Sequence, residues 1–290
     1  MQLLKIYKIF GLCLISLSLF ASQQRLSKIQ GPLKIDVSEE VINQLYGSAK
    51  LLVTYNVQNQ LPWGPNSTNT IYFYHKDKLY YEFTNFFPSK VYADGVIWPT
   101  SEHYYQAMKF THHSEIQKNI LNIATARNVF DYVNPKDPGK KDTMQKLRDK
   151  KWQDRSIQTM IKIVWLKFNQ YEGLKKLLLS TENAVLVEDS PIDELYGRGK
   201  SPQDYRGKNW LGCILMAVRE KLREQDEAEN MQNIPVVKPQ GKPTGQSNML
   251  PKKKANLSNT ASSNSNAPGF LSWLWQSICA ACAAFASWFR

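Results

Sequence analysis

The residues most able to do chemistry together lie in the stretch Ile97 to Phe110, "IWPTSEHYYQAMKF". On a helix begun at Thr100, Glu102, Gln106 and Lys109 are spaced i, i+4 and i+7 and share one stripe, while His103, Ala107 and Phe110 share the next. A carboxylate, an amide and an amine then line one face beside Tyr105 and Trp98. That combination suits acid–base or nucleophilic work at a polarised carbon. Spacing alone fits a solvated face with Glu and Lys on one stripe just as well, and it favours that reading. His103, taken alone, reads as a structural histidine.

A second concentration of chemistry is "ELYGRGKSPQDYRGKNWLGCILMAVREKL". Gly197, Gly199 and Gly207 permit tight turns and close backbone approach. Arg198, Lys200, Arg206 and Lys208 around them suggest a phosphate-binding loop. Asn209 then opens a helix, either capping it or offering its amide to a ligand.

These segments need elements to hold them. "TIYFYH" alternates as a strand and "HKDKLYY" reads as a turn and second strand. Asp94-Gly95 between Val91-Tyr92 and Val96-Ile97 is a hairpin signal. Pro99 and Thr100 start a helix with Thr100 as N-cap. Helices are expected over 115–131, 142–170, 171–181 and 204–224, with Met160, Val164 and Phe168 at four-residue spacing in the longest. "AVLVE" at 184–188 is a short strand. The fold class is mainly α with a few short strands (α+β), as one compact domain over residues 71–224 between flexible tails.

The flanks differ in kind. Lys5 and Lys8 precede an apolar run from Ile9 to Ala21, so residues 1–22 read as a signal peptide or an uncleaved N-terminal anchor. Residues 23–70 form an extension to which no function attaches. Residues 225–269 are a low-complexity linker rich in Ser, Asn, Pro and Lys. Residues 270–290 hold twenty mainly apolar positions flanked by Trp273, Trp275 and Trp288, which suits one membrane crossing, an interfacial helix or a removable lipid-anchor signal. The leader alone suggests export or membrane anchoring.

The net charge of +12 over 290 residues favours anionic partners, although a basic soluble surface has the same composition. There are four cysteines and no disulfide framework. Cys279 and Cys282 form a CxxC inside an apolar segment, without a redox neighbourhood or a second ligand pair. With four scattered histidines no metal site is expected, and no cofactor. No protein partner is expected either.

Four blocks in order, "YYEFTNFFP" at 80–88, "GVIWPTSEHYYQAMKF" at 95–110, "LVEDSPIDELYGRG" at 186–199 and "GKNWLGCILMAVREKL" at 207–222, strongly resemble the NADAR (YbiA-like) family. The resemblance covers about residues 72–223. It implies a small, mostly helical domain that cleaves N-glycosidic bonds of phosphorylated ribosyl substrates, either ribosylamino-pyrimidine intermediates of riboflavin synthesis or ADP-ribosylated guanine bases, free or in nucleic acid. It implies Lys109 as a nucleophile on the sugar, or else a ligand contact, with Glu102 and Asp193 as the catalytic carboxylates. Asn85, Phe86, Trp98, His103, Gln106, Trp152, Tyr196, Gly197, Gly199 and Asn209 are the implied substrate-binding positions. Thr84 stands where the family has Ser, and Tyr196 where it has Trp. The rival reading is a non-catalytic ADP-ribose or nucleotide-binding module tethered to a membrane.

Overall fold

The structure is a computed structural model that describes residues 31–59, 69–199 and 207–232. The expected leader, the linker from residue 233 on and the apolar C-terminal segment lie outside the described residues, while residues 225–232, expected as the start of the linker, are the end of the last helix. No helix among the described residues is long and apolar enough to cross a membrane. The chain divides into two units, Met1–Arg223 and Glu224–Arg290, and the site belongs to the first.

The described residues are mostly helical. In chain order they form α1 (Glu39–Asn59), β1 (Thr70–Phe73), a 3₁₀ turn (Tyr81–Phe83), β2 (Val91–Ala93), β3 (Val96–Trp98), α2 (Ser101–Ala107) continued by a 3₁₀ turn (Met108–Phe110), α3 (Ser114–Asn122), α4 (Ala126–Val133), α5 (Pro138–Leu147), α6 (Trp152–Asn169), α7 (Glu172–Leu179), β4 (Val185–Glu188) and α8 (Trp210–Gln232). The expected mainly α architecture with a few short strands is what forms.

Its centre is α6. Met160, Ile161, Ile163, Val164, Trp165, Leu166 and Phe168 are all buried, so the C-terminal half of this helix is enclosed on every side rather than amphipathic. α1, α2, α7 and β2 pack against it. The first half of α8 is likewise buried throughout, from Trp210 to Glu220.

The strands make two small pairings. β1 lies parallel to β4 with Thr70 opposite Val185 and Phe73 opposite Glu188. β2 and β3 are antiparallel, with Ala93 opposite Val96. Asp94 at φ 52° and Gly95 at φ 80° turn the hairpin as the Asp-Gly pair predicts. Gln170 completes this edge: its Nε2 donates to Tyr92 O at 2.7 Å and its Oε1 accepts from Tyr92 N at 2.9 Å.

Several expected elements are corrected. "HKDKLYY" is a turn followed by a single 3₁₀ turn, not a second strand. The helix expected at 115–131 is two, because the chain extends at Ile123 and Thr125 caps a new helix by accepting from Asn128 N at 3.2 Å. The helix at 142–170 is also two, broken at Arg148 to Lys151. The last helix starts at Trp210, because the chain around Asn209 (φ 50°) is left-handed. Part of the unassigned extension is structural. Leu45, Ala49, Leu52 and Val53 on α1 are buried, and Tyr46 stacks on Trp210 with ring centroids 6.1 Å apart.

Lys167 is a buried amine of the core. It is 1% exposed and donates to Glu82 O at 2.6 Å and Thr84 O at 2.8 Å. A neutral amine has the two hydrogens this requires. Burial lowers its pKa to about 7, so the neutral form is well populated. Lys167 thereby ties the segment carrying Asn85 and Phe86 to α6.

Candidate active site

α2 is not a solvated face. All seven of its residues are buried, with Glu102 5%, Gln106 3% and Lys109 8% exposed. Thr100 caps the helix, its hydroxyl accepting from His103 N at 3.3 Å. The Glu102 N–H is taken by Asn85 O at 3.1 Å, which fastens the 82–86 segment to the start of the helix. Gln106 Nε2 donates to Glu102 Oε1 at 2.6 Å, the i, i+4 geometry that the spacing predicts. After Ala107 the helix tightens into a 3₁₀ turn. Lys109 Nζ then lies 5.2 Å from the centre of the Tyr105 ring and 5.8 Å from that of Trp152.

The aromatic wall is itself fixed. Tyr105 meets Trp152 edge to face at 5.0 Å, and its hydroxyl lies 2.9 Å from that of Tyr196. Tyr196 reaches on toward Ser156 O at 3.4 Å. The hydroxyl of Tyr196 thus links Tyr105 on α2 to Ser156 on α6. Burial raises the pKa of both tyrosines, so both remain protonated.

Asp193 organises the opposite loop. Its Oδ1 accepts from Leu195 N and Tyr196 N, both at 2.8 Å. Its negative charge is felt at Glu102, Lys109 and the nearby Glu188. The Glu102 carboxyl is raised above its ordinary pKa by burial, an effect opposed by the Gln106 bond and the Lys109 charge. The Glu188 carboxyl, at the end of β4, is pushed up to about 8 by burial and then by the charges of Asp193 and Glu102. Lys109 is lowered to about 8, first by burial and then by the charge of Arg148; Glu102 and Asp193 oppose this. The cluster thus holds an amine and a carboxylic acid that both titrate near neutrality, a condition suited to proton transfer and nucleophilic attack.

Other expected site residues lie around this centre or away from it. Asn85 is buried; its Nδ2 meets only Met160 Sδ at 3.1 Å and its Oδ1 has no partner. Phe86 is half-buried against Phe130. Trp98 belongs to the hairpin, donating to Ala93 O at 3.3 Å. His103 is wholly enclosed: Nδ1 meets Thr100 Oγ1 at 2.8 Å and Nε2 meets Ile123 O at 2.9 Å. Burial lowers its pKa, and it joins α2 to the end of α3. Asn209 is also fully buried. Its amide clamps β4, with Nδ2 donating to Leu186 O at 2.9 Å and Oδ1 accepting from Glu188 N at 3.0 Å. Both side chains, expected as ligand contacts, have their polar atoms bonded inside the protein.

In the described part of the expected phosphate loop the backbone is likewise engaged by protein. The N–H groups of Asn209, Trp210 and Leu211 at the start of α8 are taken by the carbonyls of Gly197, Leu195 and Tyr196, so this helix end is closed by protein. Arg198 is paired with Asp189, while Lys200 and Arg206 lie outside the described residues. The glycines serve packing. A Cβ on Gly207 would meet Gly197 O at 2.2 Å, and Gly199 has φ 85°.

Two residues of the cluster escaped the sequence reading. Glu188 sits in the quoted "LVEDSP" block, but only its strand-end position beside Asp193 marks it. Arg148 lies in a stretch read as helix interior, and the break between α5 and α6 is what turns it toward Lys109.

Comparison with known proteins finds relatives that match about half of this chain. The chain is 37% identical over 155 residues to the N-glycosidase YbiA of Escherichia coli, covering 52% of this chain and 88% of that protein. It is 36% identical over 157 residues to an N-glycosidase of Nostoc punctiforme, covering 53% and 93%. It is 36% identical over 154 residues to a riboflavin biosynthesis protein of Vibrio vulnificus, of which it spans only 39%. The solution structure of Escherichia coli YbiA is similar at 30% identity and a TM-score of 0.46, over 62% of this chain and 97% of that one. The NADAR domain model matches residues 72–223, a span that contains Glu102, Lys109, Arg148, Glu188 and Asp193 alike, and the chain belongs to the NADAR domain family.

Proposed function

We propose that this protein is an N-glycosidase that hydrolyses the bond between a base nitrogen and the anomeric carbon of a phosphorylated ribosyl group, with Lys109 as nucleophile. The observation that carries this reading is the buried lysine held over Tyr105 and Trp152 within reach of the charges of Glu102 and Asp193. A lysine lowered to about 8 has roughly a tenth of its amine free at pH 7, enough to attack.

The free amine adds to the anomeric carbon, and the carbon–nitrogen bond to the base breaks with its electron pair going to the base. Glu188, which keeps its proton near neutral pH, gives that proton to the departing base. Glu102 as carboxylate takes the proton that Lys109 loses on bonding and faces the positive charge that builds on the sugar. Ring opening turns the sugar–lysine adduct into an imine. Water adds to the imine, the bond to Nζ breaks, and the free sugar leaves with the amine restored. The sum is one water consumed for one glycosidic bond.

Asn85 and Gln106 support binding. Each presents a buried side-chain oxygen without a partner, an acceptor for ribose hydroxyls. Gln106 is oriented by Glu102, which requires its amide nitrogen and leaves its oxygen for the ligand.

Incubating the full chain with ADP-ribosylated guanosine and with a phosphorylated ribosylamino-pyrimidine, and reading products by mass, tests the activity and tells the two substrate classes apart. Borohydride added during turnover traps the sugar on Lys109 as a stable amine. Release of base without a trapped adduct removes the nucleophile role. Unchanged turnover in Lys109→Ala removes the mechanism.

A further inference from the structure

We propose that Arg148 is the receptor for the phosphate of the ligand bound at Lys109, in place of the glycine-rich loop. The proposal rests on the functional reading above and names the group of the substrate that this corner of the site reads.

The chain at the α5–α6 break is built onto the nucleophile's own backbone. Asp149 N donates to Lys109 O at 2.8 Å. Arg155 holds the same corner, donating to Asp149 Oδ2 and to Met108 O, both at 2.7 Å. Arg148 is therefore fixed next to Lys109 by three bonds that do not involve its own guanidinium. The guanidinium is aimed by Asn134, whose Oδ1 accepts from Arg148 Nη2 at 2.9 Å while its own Nδ2 donates to Phe130 O at 2.9 Å.

What this arrangement lacks is negative charge. No carboxylate among the described residues pairs with Arg148. Its neighbour Asp149 is committed to Arg155, Thr111 and the N–H of Lys151. By contrast Arg155, Lys162, Arg198 and Arg223 each have an acid partner. Arg148 Nε is buried without any hydrogen-bond partner. Arg219 shares that last feature, but it is 1% exposed and closed in by Thr181 and Ala184. Arg148 is only half-buried, so it retains a path to a ligand.

Glu102 and Asp193 balance Lys109, but Arg148 has no acid of its own, and its charge beside the amine stays unfavourable until an anion arrives. A planar fork with most of its donors unused matches a phosphate's oxygens. The ligand chemistry is thus a phosphate monoester or diphosphate on the ribosyl group. A ring attached at Lys109 would carry it toward the α5–α6 corner.

The test is calorimetric titration of the full chain with ribose 5-phosphate, ADP-ribose and unphosphorylated ribose, in wild type, Arg148→Met, Arg148→Lys and Lys109→Met. Wild type and Lys109→Met should prefer ribose 5-phosphate over ribose by roughly ten- to a hundredfold, the worth of one charged hydrogen-bond pair. Arg148→Met should lose that preference at unchanged Tm, and Arg148→Lys should keep part of it. ADP-ribose binding that tracks ribose 5-phosphate across the variants marks the phosphate on the ribosyl O5, which both ligands carry, as the group read; a loss confined to ADP-ribose overturns the proposal. An equal preference in wild type and Arg148→Met, or none in wild type, overturns the proposal. Should Arg148→Met fail to fold, an undiminished preference in Arg148→Lys overturns it instead. A wild-type phosphate preference without release of base overturns hydrolysis and leaves the Arg148 assignment standing.

Discussion

Gln106 donates to the Glu102 carboxylate at 2.6 Å and leaves its own side-chain oxygen unpartnered in the buried interior. The bond lowers the pKa of Glu102 against the opposing effect of burial, so losing it raises that pKa. In wild type below pH 8, log(kcat/KM) should rise with a slope near one, set by Lys109. In Gln106→Met the Glu102 pKa rises further, the carboxylate that takes the Lys109 proton is less populated, and the slope should steepen. kcat at pH 7 should fall about ten- to a hundredfold, the worth of a hydrogen bond to a charged group. A pH series of initial rates measures both.

Lys109 makes its own prediction about pH. Its amine is lowered to about 8, first by burial and then by Arg148. The reactive forms are the free Lys109 amine and the protonated Glu188 carboxyl, both titrating at about 8, so kcat/KM should climb through pH 7, peak near 8 and fall above it. Arg148→Met removes a positive neighbour and raises the Lys109 pKa, shifting the rising limb to higher pH. A phosphate bound at Arg148 cancels the same charge. The profile of kcat, which reports the complex, should therefore lie at higher pH than that of kcat/KM, which reports the free enzyme. Lys109→Arg keeps the charge but cannot lose its proton, and it should bind ligand without turnover.

How much of this was legible in sequence depends on the range of each interaction. The Asp94-Gly95 turn and the Thr100 cap are local, and both form as their residues predict. The Glu102–Gln106 contact follows from helical spacing alone. The burial of that helix on all sides does not, because Tyr104 and Tyr105 suit a surface as well as a core. Glu188 and Arg148 join the cluster through tertiary packing: one at the end of a strand paired with distant β1, the other at a break set by the bond from Asp149 N to Lys109 O. No periodicity encodes either. The glycines were legible as close-approach positions, but what approaches them is the protein's own backbone.

Lys167 joins stability to pH with a definite sign. Its folded pKa is about 7, below the value near 10.4 of a free lysine. Between these values the unfolded chain holds more protons, so stability rises with pH across that window. Lys167→Met removes this dependence and leaves the carbonyls of Glu82 and Thr84 without their donor. The loss should be about 2–4 kcal/mol for two unsatisfied buried acceptors, and wider at pH 9 than at pH 6. Urea unfolding at the two pH values measures the difference. Activity should fall as well, since the loosened segment carries Asn85.

The helix α1 lies before the family match yet packs on the family core. Leu45 and Leu52 are 2% and 3% exposed, and Tyr46 stacks on Trp210 where α8 begins. A large-to-small change at such a site costs about 2–5 kcal/mol, so Leu45→Ala and Leu52→Ala together should remove much of a typical domain's 5–15 kcal/mol. The effect should reach the active site, because Trp210 N is held by Leu195 O in the loop that Asp193 organises. The double variant should unfold at lower urea and, while folded, show reduced kcat. If α1 were a passive extension, both the urea midpoint and kcat would match wild type.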